Sequence, residues 1–381
     1  MSPTDLVVLL LAALALAAIG SAAALGRRQL RALVPVSAAE LAEPLQVVIP
    51  ARNEATNLRA LLPALLAERA PGLRVLVVDD RSTDDTARVV GELARPDARL
   101  SLLRINDEPE PGVFGKPRAL AAAVDEATAA SAPALLLFLD ADMRPTPGLL
   151  GGVVAALRRE RAQAVSGVPR LLLETPVEAL FLPTLVALLT GGVRPGRVHD
   201  PMAPDAFLNG QLILVETAAL AQAGGWRAVT GTVLEDVALA GLLKRSGATL
   251  RLADLRPLVG TRMYSSFGEM TRGFGKNATA LLGPAAGLKG GLAFLLALLP
   301  WTAFGLALAR GSGPTALALA AGLFVLTLLV QARARLDVRA PVWPVLLLPL
   351  SYLGAACILA RASLEHLRGH PIEWRGRRYR R

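Results

Sequence analysis

The sequence has little cysteine and few aromatic residues, and both shortages narrow the classes of protein it can belong to. Cys357 is the single cysteine among 381 residues, which excludes an intrachain disulfide and a cysteine-rich metal site. It lies in an apolar run, where we expect it to be a small buried hydrophobe. Aromatic residues make up 4% of the chain, and no basic stripe with interleaved aromatic residues occurs, so nucleic-acid binding is not expected.

Apolar and basic residues are abundant instead. Hydrophobic residues make up 53% of the chain, and a mean hydropathy of +0.46 favours a soluble domain combined with membrane segments. The net charge of +10 and the sequence pI near 10.8 favour an anionic partner. A phosphorylated substrate and the headgroups of anionic lipids both fit this description.

The N-terminal region is predicted to lie in a membrane. Residues 6–25 form an apolar run, and the basic residues Arg27, Arg28 and Arg31 follow it. A secretory signal carries its positive charge before its apolar core. We therefore predict that residues 1–26 form an uncleaved membrane helix with its C-terminal end in the cytoplasm.

The C-terminal region carries three further apolar runs, at about 288–308, 315–330 and 342–360. They predict membrane segments within 287–361, between an interfacial amphipathic segment (259–286) and a basic tail (362–381). If the large domain is cytoplasmic, three full crossings would place the basic tail outside, against the positive-inside tendency. One segment is therefore expected to be re-entrant or interfacial, and the sequence does not say which.

Residues 44–258 have a different pattern. The short apolar runs "LQVVIP", "LRVLVVDD", "LSLLRI", "ALLLFLD" and "AQAVSGV" alternate with amphipathic stretches. This alternation predicts an α/β domain with a mostly parallel sheet and helices on both faces. In such a sheet, ligands bind outside the carboxyl ends of the strands. Three predicted strands end in acids or amides, namely Asn53 and Glu54, Asp79 and Asp80, and Asp140 and Asp142.

Each of the first two turns also has a purely structural interpretation. Asn53 or Thr56 can cap the helix after the first strand, and Ser82, Thr83 or Asp84 can cap the next one. The alternative is that a nucleoside hydrogen-bonds to the side chains at the strand ends. The residues alone leave both interpretations open.

The third turn, "FLDADM", places the carboxylates of Asp140 and Asp142 two residues apart, where both can face one cation. Ligation by oxygen alone suits Mg²⁺ or Mn²⁺, which bind through one or two carboxylates together with substrate phosphate. A bare D-x-D pattern is weak support, and its position at a strand end strengthens it.

Two further motifs carry charge at predicted helix starts. Lys116 and Arg118, in "GKPRAL", precede a helix and either bind an anion such as a diphosphate there or form a solvated basic loop. Glu235 and Asp236 begin the amphipathic helix of "VLEDVALAGLLKRSG". Acids in a first turn stabilise any helix, and the alternative is that one of them is a general base.

Taken in order, six blocks of the chain resemble the signature blocks of glycosyltransferase family 2. They are "VVIPARNE", "VVDDRSTDDT", "GKPRAL", "FLDADM", "NGQLILVETAALAQAGGW" and "LEDVALAGLLKRSG". The resemblance spans about residues 45–258, and the order and spacing of the blocks make it specific. It implies an inverting enzyme with a Rossmann-like fold that binds a nucleotide-diphospho-sugar.

The resemblance also implies roles for individual residues. The nucleoside would be held by Pro50, Asn53, Glu54, Asp79 and Asp80. Lys116 would approach the diphosphate, Asp140 and Asp142 would bind Mg²⁺ or Mn²⁺, and Asp236 would be the catalytic base. Glu235, Gln211 and Trp226 are further expected substrate contacts. Trp226, in "GGW", either stacks on a sugar ring or simply packs in the core.

A later stretch, "RMYSSFGEMTRGFGKNATAL", and the tail "WRGRRY" resemble a bacterial membrane-bound branch that glycosylates hydrophobic acceptors. That branch includes carotenoid-acid and hopanoid-associated glycosyltransferases and is more distantly similar to ceramide glucosyltransferases. The resemblance implies transfer of one sugar, from UDP-glucose, to a lipid hydroxyl or carboxylate at the cytoplasmic face of the inner membrane. The stretch itself either contacts the acceptor or is an ordinary interfacial helix.

Three alternative functions fit the sequence less well. A processive polysaccharide synthase would carry a Q-x-x-R-W block after the base, and the sequence has none. A nucleotidyltransferase would need a glycine-rich, basic loop after the first strand, which "PARNEAT" is not. A non-catalytic membrane protein that retains the fold would not need its acids, whereas all of them are in register.

Overall fold

The computed structural model describes residues 3–379 except positions 69, 71, 132, 371, 375 and 376. Its strands are β1 (Val34–Pro35), β2 (Leu45–Ala51), β3 (Leu73–Asp80), β4 (Leu100–Ile105), β5 (Leu135–Leu139), β6 (Met143–Pro145), β7 (Ala164–Val168), β8 (Arg170–Leu171), β9 (Leu212–Glu216), β10 (Leu250–Asp254), β11 (Val259–Thr261), β12 (Ile372–Trp374) and β13 (Arg377–Tyr379). Its α-helices are α1 (Pro3–Arg31), α2 (Ala55–Leu66), α3 (Thr86–Ala94), α4 (Gly115–Ser131), α5 (Leu149–Arg159), α6 (Pro176–Thr190), α7 (Pro195–His199), α8 (Thr217–Gln222), α9 (Glu235–Arg245), α10 (Phe267–Leu282), α11 (Ala286–Ala309), α12 (Pro314–Asp337) and α13 (Leu348–Leu367). Short 3-10 helices span Trp226–Val229 and Trp343–Leu347.

The central sheet has eight strands in the order β1-β10-β7-β9-β5-β2-β3-β4. All neighbours are parallel except β9, which runs antiparallel to both β5 and β7. Helices α2, α3 and α5 cover one face, and α4, α8 and α9 cover the other. Strands β2, β3 and β5 are buried at nearly every position, as expected for strands covered on both faces. The predicted α/β, Rossmann-like sheet is confirmed.

Strand β9 brings an additional loop to the carboxyl edge of the central sheet. The sequence pattern singled out five strands that correspond to β2, β3, β4, β5 and β7. Because β9 is antiparallel between β5 and β7, its N-terminal end lies where the carboxyl ends of those two strands lie. The loop of residues 209–211, which precedes β9, therefore lies at the same edge of the sheet as the turns that follow β5 and β7. A smaller sheet, β6-β11-β8, lies beside it.

Several local expectations are corrected by the structure. Lys116 and Arg118 lie within the first turn of α4, not before it, and α3 begins at Thr86 rather than near Asp84. Cys357 is exposed on α13 rather than buried. Its neighbours on the buried face of that helix are Gly354, Ala355 and Ile358, so the thiol lies on the opposite side.

Three helical segments in the described part of the chain are long and apolar enough to cross a membrane: Ala286–Ala309, Pro314–Asp337 and Trp343–Leu367. Helix α1 covers the predicted N-terminal segment and packs against α11 and α12, with Val8, Ala307 and Ala320 in one buried cluster. Helix α10, in the segment predicted to be interfacial, packs against α6 and α13. Within the predicted basic tail, positions 371, 375, 376, 380 and 381 lie outside the described residues, as do positions 1 and 2 of the N-terminal segment.

Candidate active site

A cavity of about 1070 Å³ opens at the carboxyl edge of the central sheet. Most of the predicted site residues line it: Pro50, Asn53, Glu54, Asp80, Lys116, Asp140, Asp142, Gln211, Glu235 and Asp236. They come from the ends of β2, β3 and β5, the loop before β9, and the first turns of α4 and α9. The structure therefore brings together residues that are nearly 190 positions apart in the sequence.

Two predicted site residues lie outside the lining of this cavity. Asp79 is 2% exposed, and its Oδ1 accepts a hydrogen bond from the backbone N–H of Ser82 at 2.9 Å, so it holds the turn after β3. Trp226 is 2% exposed and packs edge-on against Phe138 with ring centroids 5.1 Å apart. Of the two alternatives for Trp226, the structure favours packing in the core.

The turns after β2 and β3 are joined to each other by hydrogen bonds. Asn53 Oδ1 accepts from Thr83 N at 2.8 Å, and Asn53 N donates to Ser82 Oγ at 2.9 Å. Asn53 has a φ of +56°, a left-handed conformation that asparagine tolerates better than most residues. Neither Asn53 nor Thr56 caps α2, since Glu54 is the N-cap residue and its side chain makes no capping bond. Asn53 thus fixes the shape of the cavity wall.

The loop of Asn209, Gly210 and Gln211 connects the three charged motifs. Asp236 Oδ2 accepts from Gly210 N at 2.8 Å, Lys116 Nζ donates to Gly210 O at 3.3 Å, and Asp140 N donates to Gln211 O at 2.9 Å. The backbone of this loop therefore sets the positions of the predicted base, the predicted lysine and the first predicted metal ligand relative to one another.

Lys116 lies among carboxylates. Its Nζ is 2.7 Å from Asp140 Oδ1 and 3.7 Å from Glu235 Oε1. Burial acts to lower the pKa of Lys116, but the negative charges of Asp140, Glu235 and Asp236 outweigh burial, so its pKa is raised. Lys116 is therefore protonated at neutral pH. Because this pKa is higher in the folded protein than in the unfolded chain, it contributes stability that is fully present below the ordinary lysine pKa. That stability is lost as the pH rises from there through the raised pKa.

Asp140 and Asp142 fit a divalent cation, although no group of three metal-binding side chains occurs among the described residues. The donor set is oxygen only, as Mg²⁺ and Mn²⁺ prefer, and such ions take their remaining ligands from water and substrate phosphate. Asp140 Oδ1 also forms an ion pair with Lys116 Nζ at 2.7 Å. Two carboxylates suffice for this type of site.

The cavity continues from these charged groups to the apolar helices. Its other walls are formed by parts of α1, α6, α10, α12 and α13, with side chains such as Leu30, Leu189, Phe274, Val330 and Leu348. No histidine lines the cavity in the described part of the chain, so its carboxylates are the candidates for a general base. A polar end and an apolar end in one cavity suit an amphiphilic ligand.

Sequence reasoning missed helix α6 and the arginines of the apolar end. The run "PVEALFLPTLVALLT" of α6 is apolar throughout, but at 15 residues it is too short to span a membrane and was not singled out. Arg335 and Arg272 also line the cavity. Arg335 lies in the basic stretch between two predicted membrane segments, and Arg272 lies in the stretch predicted either to contact the acceptor or to be an ordinary interfacial helix. The sequence singles out neither arginine. A buried charge cannot be told from an exposed one by spacing alone.

Part of the α/β domain is similar to a known protein family. Residues 46–172 match the model of the family described as Glycosyl transferase family 2. The match covers β2 to β8, and thus the turns after β2 and β3, Lys116 and the D-x-D aspartates. No curated protein sequence matches the chain.

Among solved structures, the chain resembles the mannosyltransferase PcManGT from Pyrobaculum calidifontis, whose structure is in complex with GDP-Man and Mn²⁺. The TM-score is 0.53 at 22% identity, over 91% of this chain and 98% of that chain. TarS from S. aureus matches with a TM-score of 0.41 at 15% identity, over 72% of this chain and 54% of that chain. Glucosyl-3-phosphoglycerate synthase from Mycobacterium tuberculosis matches with a TM-score of 0.37 at 18% identity, over 63% and 80%. The first of these shows that the fold is the GT-A glycosyltransferase fold.

Proposed function

We propose that this chain is a membrane-bound, inverting glycosyltransferase that transfers one sugar from a nucleotide-diphospho-sugar to a lipid acceptor. The observation that carries the proposal is that one cavity is lined both by Asp140, Lys116 and Asp236 and by the apolar helices. A water-soluble acceptor would not need this apolar end. The catalytic domain would face the cytoplasm, at the inner membrane.

The donor is expected to be UDP-glucose. The protein of similar fold that binds GDP-Man makes GDP-mannose the second donor to test. Pro50, Asn53, Glu54 and Asp80 would hold the nucleoside, and Lys116 would contribute positive charge beside the diphosphate. Mg²⁺ or Mn²⁺, held by Asp140 and Asp142, would supply neutralisation of the charge on the departing diphosphate.

The transfer step requires a base on the acceptor side of the sugar. The acceptor oxygen attacks the anomeric carbon and forms the new carbon–oxygen bond, while its proton passes to a carboxylate oxygen of Asp236. The bond from the anomeric carbon to the phosphate oxygen breaks, and its electron pair leaves with the nucleoside diphosphate. Attack from the face opposite the leaving group inverts the configuration. Gly210 N donates to Asp236 Oδ2 at 2.8 Å and Val237 N donates to Asp236 Oδ1 at 2.9 Å. Both hydrogen bonds orient the base, and each oxygen keeps a second lone pair that can take the proton.

The experiment is incubation of membranes containing the full chain with a panel of radiolabelled nucleotide sugars, followed by lipid extraction. We expect label from one donor in the lipid fraction, with a mobility that fits one added sugar. Membranes without the protein are the control. Label only in a water-soluble polymer would favour a processive synthase, and no incorporation from any donor would favour a non-catalytic protein.

A further inference from the structure

Arg335 is a buried charge in the apolar half of the cavity. It lies in the last turn of α12, is 5% exposed and lines the cavity that also holds Asp236. The other walls near the end of α12 come from Val330, Val338 and Leu348. Gln331 and Tyr352 also line the cavity, so the guanidinium lies among both apolar and polar side chains.

Arg335 has backbone partners but no acidic one. Its Nη1 donates to Ala179 O at 3.0 Å and to Pro341 O at 3.3 Å. Throughout the described ranges, no carboxylate lies within 4.0 Å of its guanidinium. The arginines near it differ, since Arg333 pairs with Asp337 at 2.8 Å and Arg256 pairs with Asp254 at 2.7 Å.

Burying the Arg335 guanidinium costs free energy unless an anion pairs with it. A buried guanidinium that is not paired retains most of its desolvation cost, and two carbonyl oxygens offset only part of it. Ionisable residues in such helices face a cavity or a partner and mark functional positions. A planar guanidinium with donors left over suits a carboxylate or a phosphate, which it can bind through two oxygens.

We propose that Arg335 binds an anionic group, carboxylate or phosphate, of the lipid acceptor, while the sugar-accepting oxygen of that lipid lies at Asp236. The inference rests on the proposed function and narrows its acceptor to an acidic lipid. An amphiphile suits this position because Val330, Val338 and Leu348 line the same cavity as Arg335. The donor diphosphate has a separate cation in Lys116, which lies on α4 at the sheet edge.

Lipid binding by the purified full chain in neutral detergent tests this. The probes are dioleoylphosphatidic acid, dioleoylglycerol as its neutral counterpart, inorganic phosphate, and UDP. We expect the protein to prefer the phosphatidic acid over the diacylglycerol by about tenfold, the size of one charged hydrogen-bonded contact. Arg335→Gln removes this preference and leaves UDP binding unchanged. Arg333→Gln, on the exposed side of the same helix, retains the preference.

Several results would overturn the proposal. Equal affinity of the unaltered protein for the two lipids would do so even if Arg335→Gln does not fold, and Arg335→Lys keeps the charge for a second comparison. A loss of UDP binding in Arg335→Gln would assign the residue to the donor site. Inorganic phosphate that competes as well as the lipid would assign the site to free phosphate. These measurements need no sugar transfer, so they stand apart from the lipid-extraction experiment.

Discussion

Gly210 lies so close to Asp236 that any side chain at this position would displace the carboxylate. A Cβ atom there would be 2.8 Å from Asp236 Oδ2 and 3.1 Å from Asp236 Cβ. The backbone of Gly210 also binds Asp236 and Lys116, so one small residue fixes two charged groups. Glycine is required at this position because there is no room for a Cβ atom, and not because of the backbone conformation.

We expect Gly210→Ala to lower the transfer rate about a hundredfold, because a displacement of about 1 Å at a reacting group has an effect of that size. UDP binding should change little. Gly196→Ala is the matched control, since a Cβ at Gly196 meets nothing within 4 Å. Initial rates and equilibrium UDP binding, measured on the same preparations, check this. Equal rates for the two variants would remove Gly210 from the positioning of the base.

Asp236→Asn should keep the hydrogen bond from Gly210 N but lose the ability to take a proton. We expect the transfer rate to fall by roughly 10²- to 10⁴-fold with UDP binding retained. Asp125→Asn, an exposed acid on α4 that pairs with Arg227, is the control and should be unaffected. An Asp236→Asn protein with a normal turnover rate would show that another group is the base.

At the scale of elements, α6 connects the apolar end of the cavity to the D-x-D turn. Its N-terminus has a capping box, in which Thr175 and Glu178 satisfy each other's backbone N–H groups. Glu178 is fully buried and also accepts from Arg262 Nε at 3.2 Å. Arg262 N donates in turn to Asp142 O at 3.3 Å. A change at the start of α6 should therefore reach the predicted metal site.

Thr175→Ala should lower the free energy of unfolding by about 1 kcal/mol, the usual cost of losing an N-cap side chain. Thr128→Ala is the control, because the Thr128 hydroxyl donates only to carbonyl groups of its own helix, α4. Thermal unfolding in detergent measures both. A Thr128→Ala protein that is destabilised as much as Thr175→Ala would mean that the cap contributes nothing of its own.

The sequence predicts some of these elements and not others, for physical reasons. Strands β2, β3 and β5 were predictable because each is a continuous apolar run that ends in polar residues. The antiparallel insertion of β9 was not, because periodicity reports which face is buried and not which strand is adjacent. The residues of the polar end were predicted from their blocks, whereas Asp79 and Trp226 could be placed in the core only from coordinates. The backbone role of Gly210 has no signal in a single sequence.

At the scale of the whole molecule, α13 packs against helices α6 and α10, which line the cavity. Its residues Ala355, Ile358 and Ala362 share a buried cluster with α6 and α10. Gly287 N, at the start of α11, donates to Ser363 Oγ at 2.8 Å. The distant ends of α11 and α12 pack instead against the start of α1. We therefore expect α13 to lie in the interface and not to cross, which keeps the basic tail in the cytoplasm.

Cysteine labelling in intact cells tests this topology in a Cys357→Ala background. Arg310→Cys, in the loop between α11 and α12, should react with a membrane-impermeant maleimide. Arg368→Cys, after α13, should react only after the cells are permeabilised. Both positions are exposed, so a difference reflects the side of the membrane. Labelling of both from outside would mean that α13 crosses.

The antiparallel strand β9 also has a consequence for the order in which the protein assembles during synthesis. Strands β5 and β7 leave the ribosome first, but they have no contact in the sheet until β9 inserts between them. Lys116 and Gly210 are 94 positions apart, and contacts of such separation form late because closing the intervening loop costs entropy. A growing chain can therefore complete the turns after β2 and β3 before the predicted base is in position. Under the proposed function, such a chain would not transfer a sugar until residues 209–211 and α9 have joined the cavity.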